Sequence, residues 1–211
     1  MTSRGIIMQG ASVRGIIDGR KTQTRRVKSP QPERMSAAML AKLGWTAGWE
    51  WEYEWWTDDA PRKCIAQRCP FAGPGDLLWV REAHALDVPG CERGVSYRVD
   101  HRDPKGDGPA NPMRWRSPIH MPRWASRLTL RITDVRVQLV QGISEADAIA
   151  EGIPALCGHR CPRRCGCAYC LEGGCLSARD EFSILWDGIN RDRAPWTSSP
   201  WVWAISFERQ P

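Results

Sequence analysis

Between residues 127 and 140 apolar and polar side chains alternate. Leu128, Leu130 and Ile132 are interleaved with Thr129, Arg131 and Thr133; Val135, Val137 and Leu139 resume the pattern after a one-residue slip at Asp134 and Val135. A period of two sends successive side chains to opposite faces, so one long buried face commits the chain to a sheet. The slip predicts a bulge or bend, the device by which a sheet turns the corner of a barrel. Shorter strands are expected at 5–8, after the Pro74-Gly75 turn, at 95–99 and at 201–207. Ala11, Val13, Ile16 and Ile17 recur at helical spacing and Gly19 is placed to end that helix. Ser144, with Asp147 three residues on, caps a helix that stops at Gly152; another over 177–190 is expected to bury Phe182, Leu185, Trp186 and Ile189. Strands joined by short helices without regular alternation predict an α+β fold: a small barrel with helical connections.

Other segments have less pattern. Residues 28–75 carry five prolines and a possible helix at 34–43, and 84–114 read as loops. Trp49, Trp51, Tyr53 and Trp55 alternate with acids, as in one strand of a hairpin arm. The 211 residues suit one domain, and 42% apolar against 26% charged residues excludes a disordered chain. A net charge of +6 is compatible with a nucleotide or nucleic-acid partner. No apolar run is long enough to span a bilayer, and the first residues lack a secretory signal. A cytoplasmic location, with thiols kept reduced, is therefore expected.

In that setting nine cysteines favour a metal over disulfides. Cys157, Cys161, Cys165, Cys167, Cys170 and Cys175 crowd into nineteen residues with His159 among them, and Cys167-Ala-Tyr-Cys170 has zinc-knuckle spacing. Arg160, Arg163 and Arg164 would favour the thiolates, and the stretch has too few aliphatic residues to order itself. A structural zinc held by four of these residues is expected, with no cofactor for catalysis.

Gly19-Arg-Lys-Thr-Gln-Thr-Arg-Arg26 sets a lysine, two threonines and three arginines side by side. An amine next to a hydroxyl is the minimum for an activated oxygen nucleophile, and guanidinium groups suit an anionic or planar partner. The same residues also describe a solvated basic turn.

Nearly the whole chain resembles phage- and prophage-encoded ASCH-type members of the PUA-like superfamily. The resemblance rests on Gly19-Arg-Lys-Thr-Gln-Thr-Arg-Arg26, Pro74-Gly-Asp-Leu-Leu-Trp-Val-Arg-Glu82, Ser117-Pro-Ile-His-Met-Pro-Arg-Trp-Ala-Ser126 and Pro200-Trp-Val-Trp203. It implies a single PUA-like barrel over 1–211, with insertions near 28–70, 84–115 and 155–177, in the cytoplasm of a bacterial host. The first motif is similar to that of small bacterial ASCH enzymes that hydrolyse N4-acetylcytidine to cytidine and acetate. That similarity implies Lys21 as proton acceptor, Thr24 as nucleophile and Glu151 as proton donor, with Glu145 and Glu82 as competing acids. Arg26 and Arg25 would contact the substrate, with Trp79 and Glu82 at the pocket. The chain is about twice the length of those hydrolases, so what the similarity implies is the broader class: hydrolysis of an N-acylated (modified), cytidine-type nucleoside or base.

In such a triad Thr24 depends on a neutral Lys21. Free lysine titrates near roughly 10.4, and burial beside Arg25 and Arg26 would lower that value. Glu151 would need a partly apolar wall, for which Ile149 and Ile153 are candidates. Two other functions fit the motif: a PUA-like module that binds nucleic acid or modified bases without chemistry, and, ranked last, a ribonuclease.

Overall fold

A computed structural model of the chain describes residues 1–29, 31, 50–57, 60–101, 114–153 and 177–211. In chain order the elements are β1 (Ser3–Ile7), α1 (Gly10–Ile17), β2 (Gln23–Val27), β3 (Glu50–Thr57), β4 (Ala60–Arg68) and β5 (Leu77–Arg81). Then come β6 (His84–Ala85), β7 (Ser96–Tyr97), β8 (Thr129–Leu139), α2 (Glu145–Ala150), α3 (Ala178–Asn190) and β9 (Trp201–Arg209). The fold is mixed α+β. Five strands form the main sheet in the order β1-β5-β8-β9-β2; β1 and β5 are parallel and the other neighbours antiparallel.

The alternating segment forms β8, at the middle of that sheet. Its register against β9 shifts between Ile132 and Asp134, so Thr133 has no partner there. The inserted residue keeps Ile132 and Val135 on the same face, and both are 1% exposed. They join Leu78, Leu130, Trp203 and Ile205 in the principal core, which Val13 and Ile16 of α1 close from one side. Burying side chains of this kind stabilises by about 1.5–3 kcal/mol each.

The expected barrel is corrected to an open sheet. Among the described residues β1 and β2 are its edges, and no backbone ladder joins them. The sheet nevertheless curls. Strands lie about 4.8 Å apart, so four gaps in a flat sheet would separate the edges by about 19 Å. Arg26 of β2 instead reaches the backbone oxygen of Ile7 at 2.5 Å and Met8 Sδ at 3.3 Å. One guanidinium bridges edges that backbone hydrogen bonds leave open.

Residues 50–57 and 60–68 form the expected hairpin arm, β3 against β4, as a separate two-stranded sheet. The strand expected at 95–99 shrinks to Ser96–Tyr97, because a 3-10 turn over Arg98–Asp100 takes its second half. The possible helix at 34–43 lies outside the described residues.

Helices α2 and α3 cover the outer face of β2 and β9. Ser144 Oγ accepts from the Asp147 amide, so the expected cap is made, and Ser177 Oγ caps α3 in the same way through the Asp180 amide. Ala148, Phe182, Trp186 and Val202 share a second core. Leu185 and Ile189, expected in that core, are 40% and 51% exposed. The buried stripe of α3 is Ala178, Phe182 and Trp186, spaced by four, which turns Leu185 and Ile189 off the contact. Among the described residues no helix is long and apolar enough to cross a membrane.

Candidate functional site

The basic motif leaves α1 through Gly19, whose φ of +74° suits glycine. Its backbone is then held on both sides: Lys21 N–H donates to Gly15 O at 2.9 Å and Thr22 N–H to Ala150 O at 2.8 Å. Lys21 lies in a slot between two glycines. A Cβ at Gly15 would stand 3.2 Å from Lys21 Cβ, and one at Gly152 would stand 3.1 Å from it. Gly152 also has φ +93°, where a side chain is strained. The two glycines thus allow α1 and the end of α2 to close on the lysine.

In that slot Lys21 Nζ donates to Glu151 Oε2 at 2.6 Å and to the Glu151 backbone oxygen at 2.7 Å. Glu151 is the C-cap of α2, and its other oxygen accepts from Arg25 at 3.0 Å. Arg25 also reaches Gln23 Oε1 at 2.6 Å and Asp147 Oδ2 at 3.1 Å, and its guanidinium lies 5.7 Å from the Phe182 ring centroid. Asp147 accepts in addition from Arg136 at 3.1 Å and Gln23 at 3.2 Å. Two carboxylates on one helical turn therefore hold a lysine and two arginines. Burial pulls the Lys21 amine below its ordinary value and outweighs the opposing pull of Glu151; Arg26 and Arg25 add to the lowering. Burial works against the Asp147 carboxylate, but Arg136 and Arg25 hold it below the usual range.

Strand alternation divides the rest of the motif. Thr24 opposes Ile205 and Arg26 opposes Trp203, so both lie on the inner face of the sheet; Gln23 and Arg25 oppose Ser206 and Ala204 on the face under α2 and α3. Thr24 is 4% exposed, Lys21 5% and Glu151 6%. Among the described residues no hydrogen bond joins Thr24 to either partner. The structure thus brings Lys21, Arg25 and Glu151 into contact and leaves Thr24 buried on the adjoining strand.

The competing acids are engaged elsewhere. The Glu145 carboxylate accepts the backbone amides of Ala178 at 2.9 Å and Arg179 at 3.3 Å, anchoring the N-terminus of α3. Glu82, 2% exposed, is gripped by Arg127 at 3.0 and 3.1 Å; burial raises its carboxyl and Arg127 opposes that rise. Trp79 opposes Thr129 and Gly5 on the outer face of the sheet, beside a cleft of about 580 Å³. Of the proposed apolar wall, Ile153 is buried but Ile149 is 41% exposed. Sequence reasoning missed Gln23, Asp147 and Arg136 as members of the ion cluster. Asp147 was visible only as a capping residue, and nothing local pairs it with Arg25.

Cys157, Cys161, Cys165, Cys167, Cys170, Cys175 and His159 lie outside the described residues. Among those described, no three His, Cys, Asp or Glu side chains form a group able to hold a metal ion.

The molecule is thus a mixed α+β domain with a buried lysine–glutamate–arginine cluster at one edge of its sheet. No family model matches the sequence, and no curated protein matches it. Among solved structures it is similar to protein EF3133 from Enterococcus faecalis V583, described under the family model DUF984. The TM-score is 0.38 at 12% identity, covering 99% of this chain and 80% of that one.

Proposed function

We propose that this chain is an ASCH-type hydrolase that cleaves the amide of an N-acylated, cytidine-type nucleoside or base. The observation that carries the reading is the 2.6 Å contact between Lys21 Nζ and Glu151 Oε2, two ionisable groups 130 residues apart in sequence and nearly excluded from water. A buried amine of lowered proton affinity is a competent base at a pH where an exposed lysine is not. In the proposed reaction Thr24 Oγ attacks the acyl carbon and Lys21 takes the hydroxyl proton. The tetrahedral intermediate then expels the exocyclic nitrogen, which takes a proton from Glu151. Water hydrolyses the acyl-threonine, releasing the acid and restoring Thr24, and Lys21 passes the proton it took to Glu151 across their 2.6 Å contact, which returns both groups to their starting state. Arg25 holds the Glu151 carboxyl in place, and Arg26 lies on the same sheet face as Thr24, suited to an anionic or polar part of the substrate. On sequence grounds alone, the cysteine-rich stretch is proposed to hold a structural zinc ion.

The test is incubation with N4-acylated cytidines, following free acid and deacylated base by chromatography. Lys21→Ala and Thr24→Ala are each expected to lower turnover by about a hundred- to ten-thousand-fold. The wild-type rate should rise with pH along a limb centred below 10.5, as the buried amine loses its proton. Turnover by Thr24→Ala at the wild-type rate would exclude the mechanism.

The second reading is a binding module without chemistry. It is favoured by the same ion pair, since a lysine already paired with Glu151 also serves to fasten α2 to β2. Absence of turnover in the wild type, with binding of modified bases retained, would select it.

A further inference from the structure

We infer that Asp147, backed by Arg136, is a positioning residue that sets how firmly the Lys21–Glu151 pair holds its proton. Its catalytic meaning rests on the hydrolase reading; its physics rests on the ion cluster alone. Glu151 meets two cations, Lys21 at 2.6 Å and Arg25 at 3.0 Å. Both favour the carboxylate over the acid, whereas the proposed reaction needs Glu151 to give up a proton and take one back. Asp147 relieves that hold. It stands four residues before Glu151, one turn away on the same side of α2. From there it takes Arg25 Nη2 at 3.1 Å, while Nη1 is shared between Glu151 and Gln23 Oε1. The Arg25 side chain is wholly buried, so no water spreads its charge, and the second carboxylate offsets part of the field that Arg25 exerts on the pair.

The charges alternate in sign from the buried pair outward. Lys21, Glu151, Arg25, Asp147, Arg136 and Asp134 follow one another through contacts of 2.6, 3.0, 3.1, 3.1 and 3.3 Å. Side-chain exposure rises from 4% at Lys21 to 19% at Asp147 and 42% at Arg136. Burial opposes the Asp147 charge, but Arg136, Arg25 and the Gln23 amide outweigh it and keep the carboxylate ionised. Among the described residues the other charged groups near the pair are Arg26, on the inner face of β2, and Arg20. Arg20 reaches the Gly152 backbone oxygen at 3.4 Å and is paired with Asp18 at 2.8 Å. Helix α1 offers Lys21 a backbone oxygen, that of Gly15, and α3 offers Arg25 the Phe182 ring. Lys21 and Glu151 titrate as a unit, so removing a nearby negative charge lowers their proton affinity and removing a positive one raises it. A residue that only braced α2 against β2 would produce no such change of sign.

The experiment follows the Lys21 side chain by NMR in the full chain with isotope-labelled lysine, titrated with pH; Lys21→Arg identifies its signal. Asp147→Asn keeps the shape and removes the charge. It should move the titration to lower pH by about one unit, the size expected of a unit charge roughly 10 Å away at an effective dielectric near 20. Asp147→Glu should return it towards wild type. Arg136→Gln should move it to higher pH, and Asp134→Asn, one contact further out and 54% exposed, should move it less than Asp147→Asn does. Where acylated cytidines are turned over, the pH limb of the rate should shift in the same direction in each variant. The NMR titration needs no substrate, so it decides this inference even if the hydrolase reading fails. Circular dichroism checks folding. An unmoved titration in folded Asp147→Asn, or a shift of the same sign in Asp147→Asn and Arg136→Gln, would overturn the inference. If Asp147→Asn does not fold, Arg136→Gln decides alone, and a titration left in place or lowered overturns it.

Discussion

Lys28 shows how burial tunes a residue in this protein. It follows β2, is fully buried, and is pushed down to about 8 by loss of water. A lysine with a lowered folded value binds fewer protons folded than unfolded between about 8 and 10.5, so its contribution to stability rises with pH across that window. Below 8 the full cost of the buried charge is present. Urea unfolding of wild type and Lys28→Met at several pH values should show the wild type gaining on the variant from pH 8 to 10.5. A constant difference would contradict it. Lys21 obeys the same physics, but its carboxylate partner pulls the other way, and only the Glu151 contact makes that visible. The motif Gly19–Arg26 marks a candidate site by its residue types. It does not reveal that Arg25 and Arg26 take opposite faces of one strand, because that depends on where β2 starts.

At the level of elements, α3 shows both the strength and the limit of reading a period. Helical spacing located it over 177–190, since that signal is local. The spacing also predicted Leu185 and Ile189 inside. A helix with apolar residues over more than one stripe can present either, and contact with Val202 and α2 selected the Phe182–Trp186 side. Trp186→Ala should therefore cost about 3–5 kcal/mol, whereas Leu185→Gln should stay within about 0.5 kcal/mol. Urea midpoints of the two variants check this, and equal losses would place the helix in a different rotation. The bulge in β8 was legible for a related reason: its slip is written in the alternation of one strand, and register with β9 needs only that pattern.

For the whole molecule, closure of the sheet and the cysteine-rich stretch pose different questions. The cysteine spacing predicts about one zinc per chain, retained through purification and measurable by plasma mass spectrometry. A strong chelator should lower the melting temperature, and serine at both Cys167 and Cys170 should lose the metal. Metal-free protein that melts at the same temperature with and without chelator would remove zinc from the account. The barrel expectation failed because closure is a global property. It requires both edge strands to meet with unsatisfied backbone groups in register. Here Arg26 spans the gap with its side chain instead. What the one-dimensional order of residues determined is the inventory: strands, the Ser144 cap, turn glycines and a basic motif in which a lysine stands beside hydroxyls. Those signals act over a few residues, through side-chain alternation, capping bonds and φ preference. The pairing of Lys21 with Glu151, the division of the motif between two faces and the exposure of Trp124 were decided only when the sheet curled and the helices packed. Contacts across more than a hundred residues are chosen by the burial of whole surfaces, which no local pattern encodes.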